Sequence, residues 1–183
     1  DKYILDIPKN EKFTFIAIGR LETVKNHKFL IEVVKELKNE FDFEIHIVGH
    51  GYLKEELELL IKSYNLEKYI KLLGLRDDIS KLLNQSHCLL MPSLWEGLPI
   101  VILEAAACSL PIISTPVGSI PSLLNDTNSY LVNLDEFKDK MVYVMNNYEE
   151  ARKKGEKLFC EIKNSYSIEN IVKEHEKIYK ELK

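Results

Sequence analysis

The amino-acid sequence predicts an α/β protein, a parallel sheet with helices on both faces. Three observations predict it. Short β-branched or aromatic runs alternate with amphipathic helical stretches along the chain. The first two runs close on glycine, at Gly19 and Gly49. The 183 residues are 45% hydrophobic and 30% charged, an ordinary balance in a chain long enough for one domain with a sizeable core. Alternation at this spacing implies parallel strands joined by helical crossovers. Ligands on such sheets bind beyond the carboxyl ends of the strands, so the residues that follow each strand are where function is sought.

The elements follow in order. Residues 1–12, with Pro8 and several charges, read as a linker. Phe13 to Ile18 is a strand. Asn26 to Leu37 is an amphipathic helix with Phe29, Leu30, Val33, Val34 and Leu37 on one stripe. Phe43 to Val48 is the next strand, and Tyr52 to Tyr64 the next helix, its buried face Leu53, Leu57, Leu60 and Ile61. A strand at Ile70 to Leu73, a helix at Asp78 to Leu83 and a strand at Cys88 to Met91 come next. Pro99 to Cys108 is helical, Pro111 to Ser114 extended, Ile120 to Leu124 a helical turn, and Tyr130 to Val132 extended. The remainder reads as three helices, at 134–147, 149–164 and 168–182.

Composition narrows the function classes. A net charge of -4 supplies no basic field for DNA or RNA, so no nucleic-acid partner is expected. Cys88, Cys108 and Cys160 are odd in number and widely spaced, which argues against a disulfide framework and a zinc site. They read as buried reduced thiols, and the compartment as cytoplasmic. The most apolar stretch, Leu98 to Ser114, contains Glu104 and is broken by Pro99 and Pro111, so it fails as a membrane span. No signal peptide is visible, and the chain opens at Asp1 without a methionine, as expected if an upstream portion lies outside it.

Three loops carry chemistry. After the first strand, Gly19 allows a sharp turn, and Arg20 and Lys25 follow at the ligand edge, where a planar guanidinium fork and an ammonium point charge can hold a diphosphate, although taken alone the pair reads first as two solvated surface charges. Both are expected to be exposed. After the second strand, Gly49 and Gly51 read first as a tight turn and second as a phosphate contact, since Lys54 stands where a dinucleotide fingerprint has its last glycine. The sharpest segment is Pro92 to Ala105. Pro99 suits the first turn of a helix, and Gly97 lets a ligand approach free amides at the positive pole of that helix. Glu104 lies among apolar neighbours, and a buried unpaired carboxylate is costly, so something hydrogen-bonds it. A ribose diol fits, because five helical residues rise roughly 7 Å at about 1.5 Å each, the reach from a diphosphate to its ribose. Glu96 can accept from sugar hydroxyls. The alternatives are a buried ion pair for Glu104 and a surface charge for Glu96. His27, His46 and His87 read as structural, His50 as open, and none has a partner at metal-ligand spacing.

These segments together resemble family 4 (group 1) of the retaining glycosyltransferases. "GRLETVKNH" resembles its phosphate loop, "VGHGYLKEEL" its second glycine turn and "LLGLRDDISKLL" its nucleobase loop. "PSLWEGLPIVILEA" resembles its signature of two glutamates separated by seven residues, here Glu96 and Glu104. The wording is nearest the exopolysaccharide, capsule and lipopolysaccharide branch. Departures are Ser119 and Ser122 after the Pro111 strand, His87 for a common aspartate, and Ser129 for glycine.

The resemblance implies the C-terminal half of a two-domain GT-B enzyme, each half Rossmann-like. Residues 13–183 would be the nucleotide-sugar domain, its last helix crossing to an N-terminal acceptor domain outside this chain. It implies that Arg20 and Lys25 bind the diphosphate and stabilise the departing nucleotide, that Glu104 binds the ribose, and that Glu96, the third catalytic residue, binds the transferred sugar. The backbone from Gly97 through Leu98 and Pro99 to Ile100 would contact sugar and phosphate, and that of Leu75 and Arg76 the base, uracil being the first choice. Neither a metal nor another cofactor is expected. The acceptor would be a glycan or lipid-linked sugar, with the whole protein compatible with peripheral association at the inner face of a membrane. The alternatives are a non-catalytic sugar-nucleotide-binding module, or an epimerase or phosphorylase on the same architecture.

Overall fold

The computed structural model describes residues 3, 6–165, 170, 172, 176 and 178–180. Six strands form one parallel sheet: β1 (Phe13–Ile18), β2 (Phe43–Val48), β3 (Ile70–Gly74), β4 (Cys88–Met91), β5 (Ile112–Ser114) and β6 (Tyr130–Leu131). Their spatial order is β3-β2-β1-β4-β5-β6, the doubly wound Rossmann arrangement. β1 is the axis, pairing along its whole length with β2, from Phe13 opposite Phe43 to Ile18 opposite Val48. Its other side pairs with β4, Phe15 opposite Cys88. The winding direction reverses between β1 and β4, so a crevice opens at their carboxyl ends.

The two-residue period of a strand splits the core. Phe15 and Ala17 point into one cluster with Leu30, Val34, Phe43, Leu57 and Phe137. Ile16, between them, points into the opposite cluster with Leu89, Ile102, Ala105 and Leu158. All three β1 residues are fully buried, as a strand covered on both faces requires.

The helices are α1 (His27–Leu37), α2 (Lys54–Ser63), α3 (Ile79–Gln85), α4 (Ile100–Ala107), α5 (Leu134–Asn146) and α6 (Tyr148–Ser165). α1 buries Leu30, Ile31, Val33, Val34 and Leu37, while Phe29 is only half-buried. α2 buries Leu57 and Ile61, with Leu53 and Leu60 at the margin. α5 opens with a reciprocal capping box between Asn133 and Glu136. Residues 120–122 form a 3-10 turn. The helix read over 168–182 falls largely outside the described residues.

Two expectations need correction. Pro99 is extended (φ -76°, ψ 103°) and stands just ahead of α4, its carbonyl accepting from the Ile102 N–H, instead of lying in the first turn. Only Cys88 is buried; Cys108 is half-buried and Cys160 exposed. The phase of α6 explains the last: Ala151, Gly155 and Leu158 face the core, which turns Cys160 to solvent.

Candidate functional site

The loops after β1 and β2 are bolted together by their backbones. Gly19 N–H donates to the Val48 carbonyl (3.0 Å), Leu21 N–H to His50 (2.8 Å), and Leu53 N–H to Leu21 (3.0 Å). Gly49 sits at φ +144°, and a Cβ there would lie 1.9 Å from the Gly19 oxygen; one on Gly51 would lie 2.4 Å from the Leu21 oxygen. Both glycines therefore serve the close approach of two loops. Arg20 emerges exposed, its guanidinium 3.0 Å from Glu22.

Beyond Arg20 the chain makes a 3-10 turn, Thr23–Lys25, and Asn26 takes a left-handed conformation (φ 54°) that leads into α1. Asn26 Nδ2 donates to the Pro92 carbonyl (3.1 Å), and Leu94 N–H to Val24 (2.8 Å). These bonds join the β1 loop to the β4 loop across the crevice.

The β4 loop, residues 92–99, holds Glu96 almost wholly buried, 6% exposed. Lys25 Nζ donates to both its oxygens (2.6 and 2.8 Å), and Ser93 Oγ donates to Oε1 (2.7 Å). Ser93 is fixed in turn, its carbonyl accepting from Thr115 Oγ1 (2.6 Å). Gly118, at φ +57°, lies under the loop, where a Cβ would come 1.7 Å from the Glu96 carbonyl oxygen. Ser119 Oγ donates to the Gly97 carbonyl.

The structure thus places Lys25 and Glu96 in one ion pair, and the expected exposure of Lys25 is wrong: its side chain is 19% exposed and that of Glu96 7%. Glu96 is not a surface charge. The cause is local. With no side chain on Gly19, the Lys25 stem lies over that residue, its Cδ and Cε 3.2 Å from where a Cβ would stand.

α4 starts at the carboxyl end of β4, so its first-turn amides, which lack intrahelical acceptors, lie at the crevice. Gly97, Leu98 and Ile100 are exposed there. Glu104, one turn inside, is half-buried and accepts from the Tyr3 hydroxyl (2.5 Å). That charged acceptor pushes the Tyr3 pKa up to about 12. The carboxylate read as buried and in need of a ribose diol is thus only half-buried and already has a hydroxyl partner within the chain. Leu75 and Arg76 are exposed after β3, and Arg76 forms a two-pronged pair with Asp78 (2.8 and 2.7 Å).

Three features escaped the sequence reading. Ser93 holds Glu96 from three residues away, a spacing that a search for side chains able to bond within a loop would find. Leu94, Trp95, Leu98 and Ile100 form an apolar rim, each at least half exposed. Three large apolar residues in a strand-to-helix loop, with a fourth opening the helix, were the available signal. His27 is buried, its ring against the Gly19–Arg20 backbone. Of the other histidines, His46 bonds Glu44 (3.2 Å), His87 Nδ1 accepts from Thr14 N–H (3.0 Å), and His50 is exposed. Among the described residues no three His, Cys, Asp or Glu side chains converge, and no helix is long and apolar enough to cross a membrane. Cavities of about 330 and 460 Å³ are lined by none of the predicted site residues.

Comparison with known proteins fits this geometry. Residues 12–147 match the model of the family described as glycosyl transferases group 1. The UDP-Gal:α-D-GlcNAc-diphosphoundecaprenol α-1,3-galactosyltransferase of Escherichia coli is 36% identical over 133 residues, 70% of this chain and 34% of that protein. Anabaena HepE, crystallised with UDP-glucose, superposes with a TM-score of 0.84 at 19% identity, over 93% of this chain and 49% of that one. The C-terminal domain of a glycosyl transferase group 1 family protein of Francisella tularensis superposes with a TM-score of 0.77 at 24% identity, over 88% and 89% of the two chains. The chain spans between a quarter and a half of the length of the curated relatives it matches.

Proposed function

The chain belongs to the group 1 glycosyl transferases, and we propose that it is the donor-binding domain of a retaining enzyme that transfers sugar from a UDP-sugar without a metal. One observation carries the proposal: the loop of Arg20 and Lys25 and the loop of Glu96 meet at the β1–β4 crevice, bonded to each other, at the start of α4.

In this reading the diphosphate lies against the first turn of α4, where amides and helix dipole favour an anion. Arg20 supplies a second, exposed cation. As the anomeric C–O bond breaks, charge grows on the leaving phosphate, and fixed dipoles and cations already aimed there stabilise it without reorganising. Glu104 receives the ribose hydroxyls in the position the Tyr3 hydroxyl takes in this structure. The backbone at Leu75 and Arg76 receives the base. Two oxygens of a carboxylate offer about four acceptor sites, and Glu96 uses three on Lys25 and Ser93. One remains for a sugar hydroxyl, and Lys25 gains a second anion when the diphosphate arrives. UDP is supported by the names of the E. coli relative and of the HepE complex. The diphosphoundecaprenol of the relative's name supports a lipid-linked or glycan acceptor, held by a part of the protein outside this chain.

The test is Glu104→Gln. A hydrogen bond to a charged carboxylate is worth about 1.5–3 kcal/mol, so its loss lowers UDP affinity about tenfold or more. A 2′,3′-dideoxy analogue, which lacks the hydroxyls, loses little. Equal loss for both ligands removes Glu104 from the site.

A further inference from the structure

The backbone bonds that lock the β1 loop to the β2 loop end at Leu21, which donates to the His50 carbonyl (2.8 Å) and accepts from the Leu53 N–H (3.0 Å). At Thr23 the tie between the loops passes to a side chain. Thr23 N–H donates to the Tyr52 hydroxyl oxygen (3.2 Å), and Thr23 Oγ1 shares a second hydrogen bond with that hydroxyl (2.9 Å). Burial does not explain this tyrosine, which is 71% exposed. Its hydroxyl caps a turn. Thr23 opens the 3-10 turn Thr23–Lys25, and the first amides of a helical turn have no acceptor inside it. Glu22, in the capping position, makes no side-chain bond to the turn. Tyr52 supplies the missing acceptor from the neighbouring loop.

The other side of the same turn is held by the β4 loop. The Val24 carbonyl accepts from Leu94 N–H (2.8 Å), Lys25 pairs with Glu96 (2.6 Å), and Asn26 Nδ2 donates to the Pro92 carbonyl (3.1 Å). Tyr52 is the counterpart on the β2 side, so the turn that carries Lys25 is strung between two fixed loops. We infer that Tyr52 is a positioning residue for the diphosphate loop: through Thr23 its hydroxyl holds the start of the turn that presents Lys25, without touching the ligand itself. Thr23 is exposed, so a turn without this bond relaxes to water and little stability is lost. Binding then carries the cost of re-forming the turn, the cost that preorganisation removes.

Tyr52 has this role only if the crevice takes a nucleoside diphosphate, as proposed above, and the experiment separates the two. UDP is titrated calorimetrically into the unaltered chain, Tyr52→Phe, Thr23→Val and the double variant, and each is melted without nucleotide. Tyr52→Phe keeps the ring and removes the hydroxyl. It is expected to melt within about 2 °C of the unaltered chain, as exposed sites do, and to bind UDP about fivefold more weakly, the size of one neutral hydrogen bond. Thr23→Val removes one of the two bonds and weakens binding about twofold. The double variant binds as Tyr52→Phe does, because the hydroxyl acts only through Thr23. Unchanged UDP affinity in Tyr52→Phe overturns the inference and leaves the donor site standing, whatever its Tm. Losses that multiply in the double variant also overturn it, because the hydroxyl then acts independently of Thr23. If the unaltered chain binds no nucleoside diphosphate, the donor reading fails and this inference with it.

Discussion

Lys25→Met isolates the electrostatics of the site. The substitution keeps the stem packed over Gly19 and removes the ammonium. Glu96, with 7% of its side chain exposed, is left with the Ser93 hydroxyl alone. Removing one partner of a buried pair costs about 3–5 kcal/mol, because the other charge stays desolvated. The surviving Ser93 bond puts this site at the lower end, about 3 kcal/mol. For a chain of 183 residues each kcal/mol lowers Tm by about 2–4 °C, so the variant melts about 6–12 °C early. Glu96→Gln behaves differently. Lys25 has 19% of its side chain exposed and can turn its head to water, so this loss is about 1 kcal/mol. The double variant buries no charge and loses about 1 kcal/mol, well below the sum of the two single losses. Urea denaturation of the four proteins measures the cycle. If Lys25→Met loses less than about 0.5 kcal/mol, as exposed sites do, the pair is not buried as described and the reasoning fails.

Other expectations follow from particular contacts. Gly118→Ala places a Cβ against the Glu96 carbonyl at a positive φ, and costs about 2 kcal/mol together with nucleotide affinity, read by melting and calorimetry. His27 sets an acid limit. Its folded pKa of about 4 lies below the ordinary 6.5, so between these values the unfolded chain binds the extra proton. Stability is full above pH 6.5 and falls as pH drops toward 4, by about 3 kcal/mol from this residue. His87, also near 4 from burial, adds to the same window, and His27→Leu flattens the slope in a pH series of denaturation curves. Tyr3→Phe removes the hydroxyl from Glu104 and strengthens UDP binding by a few-fold if that hydroxyl holds the ribose position, measured by titration.

The parts of this protein that were legible in sequence are those fixed by local rules. β1, β2 and β4 end where they were read, because each is a run of β-branched, aromatic or apolar residues bounded by a glycine, a charge or a proline. The crevice was legible too, since alternating strands and helices place the Gly19, Gly49 and Gly97 loops at one edge of the sheet. What the sequence hid depends on contacts between distant positions. Lys25 and Glu96 lie 71 residues apart, and their pairing follows from β1 and β4 being neighbours. The burial of Lys25 follows from the missing side chain at Gly19, and the exposure of Cys160 from the phase of α6.

The claim that matters most is that the crevice between β1 and β4 takes a nucleoside diphosphate, and one titration tests it. Trp95, the single tryptophan, stands 65% exposed beside Glu96, so its emission reports occupancy of the same loop that calorimetry senses. UDP added to the unaltered chain is expected to give saturable heat and a matching change in Trp95 emission, and Arg20→Ala is expected to weaken both about tenfold or more with little change in Tm. No heat and no emission change with UDP, GDP or ADP at millimolar concentration would contradict the account.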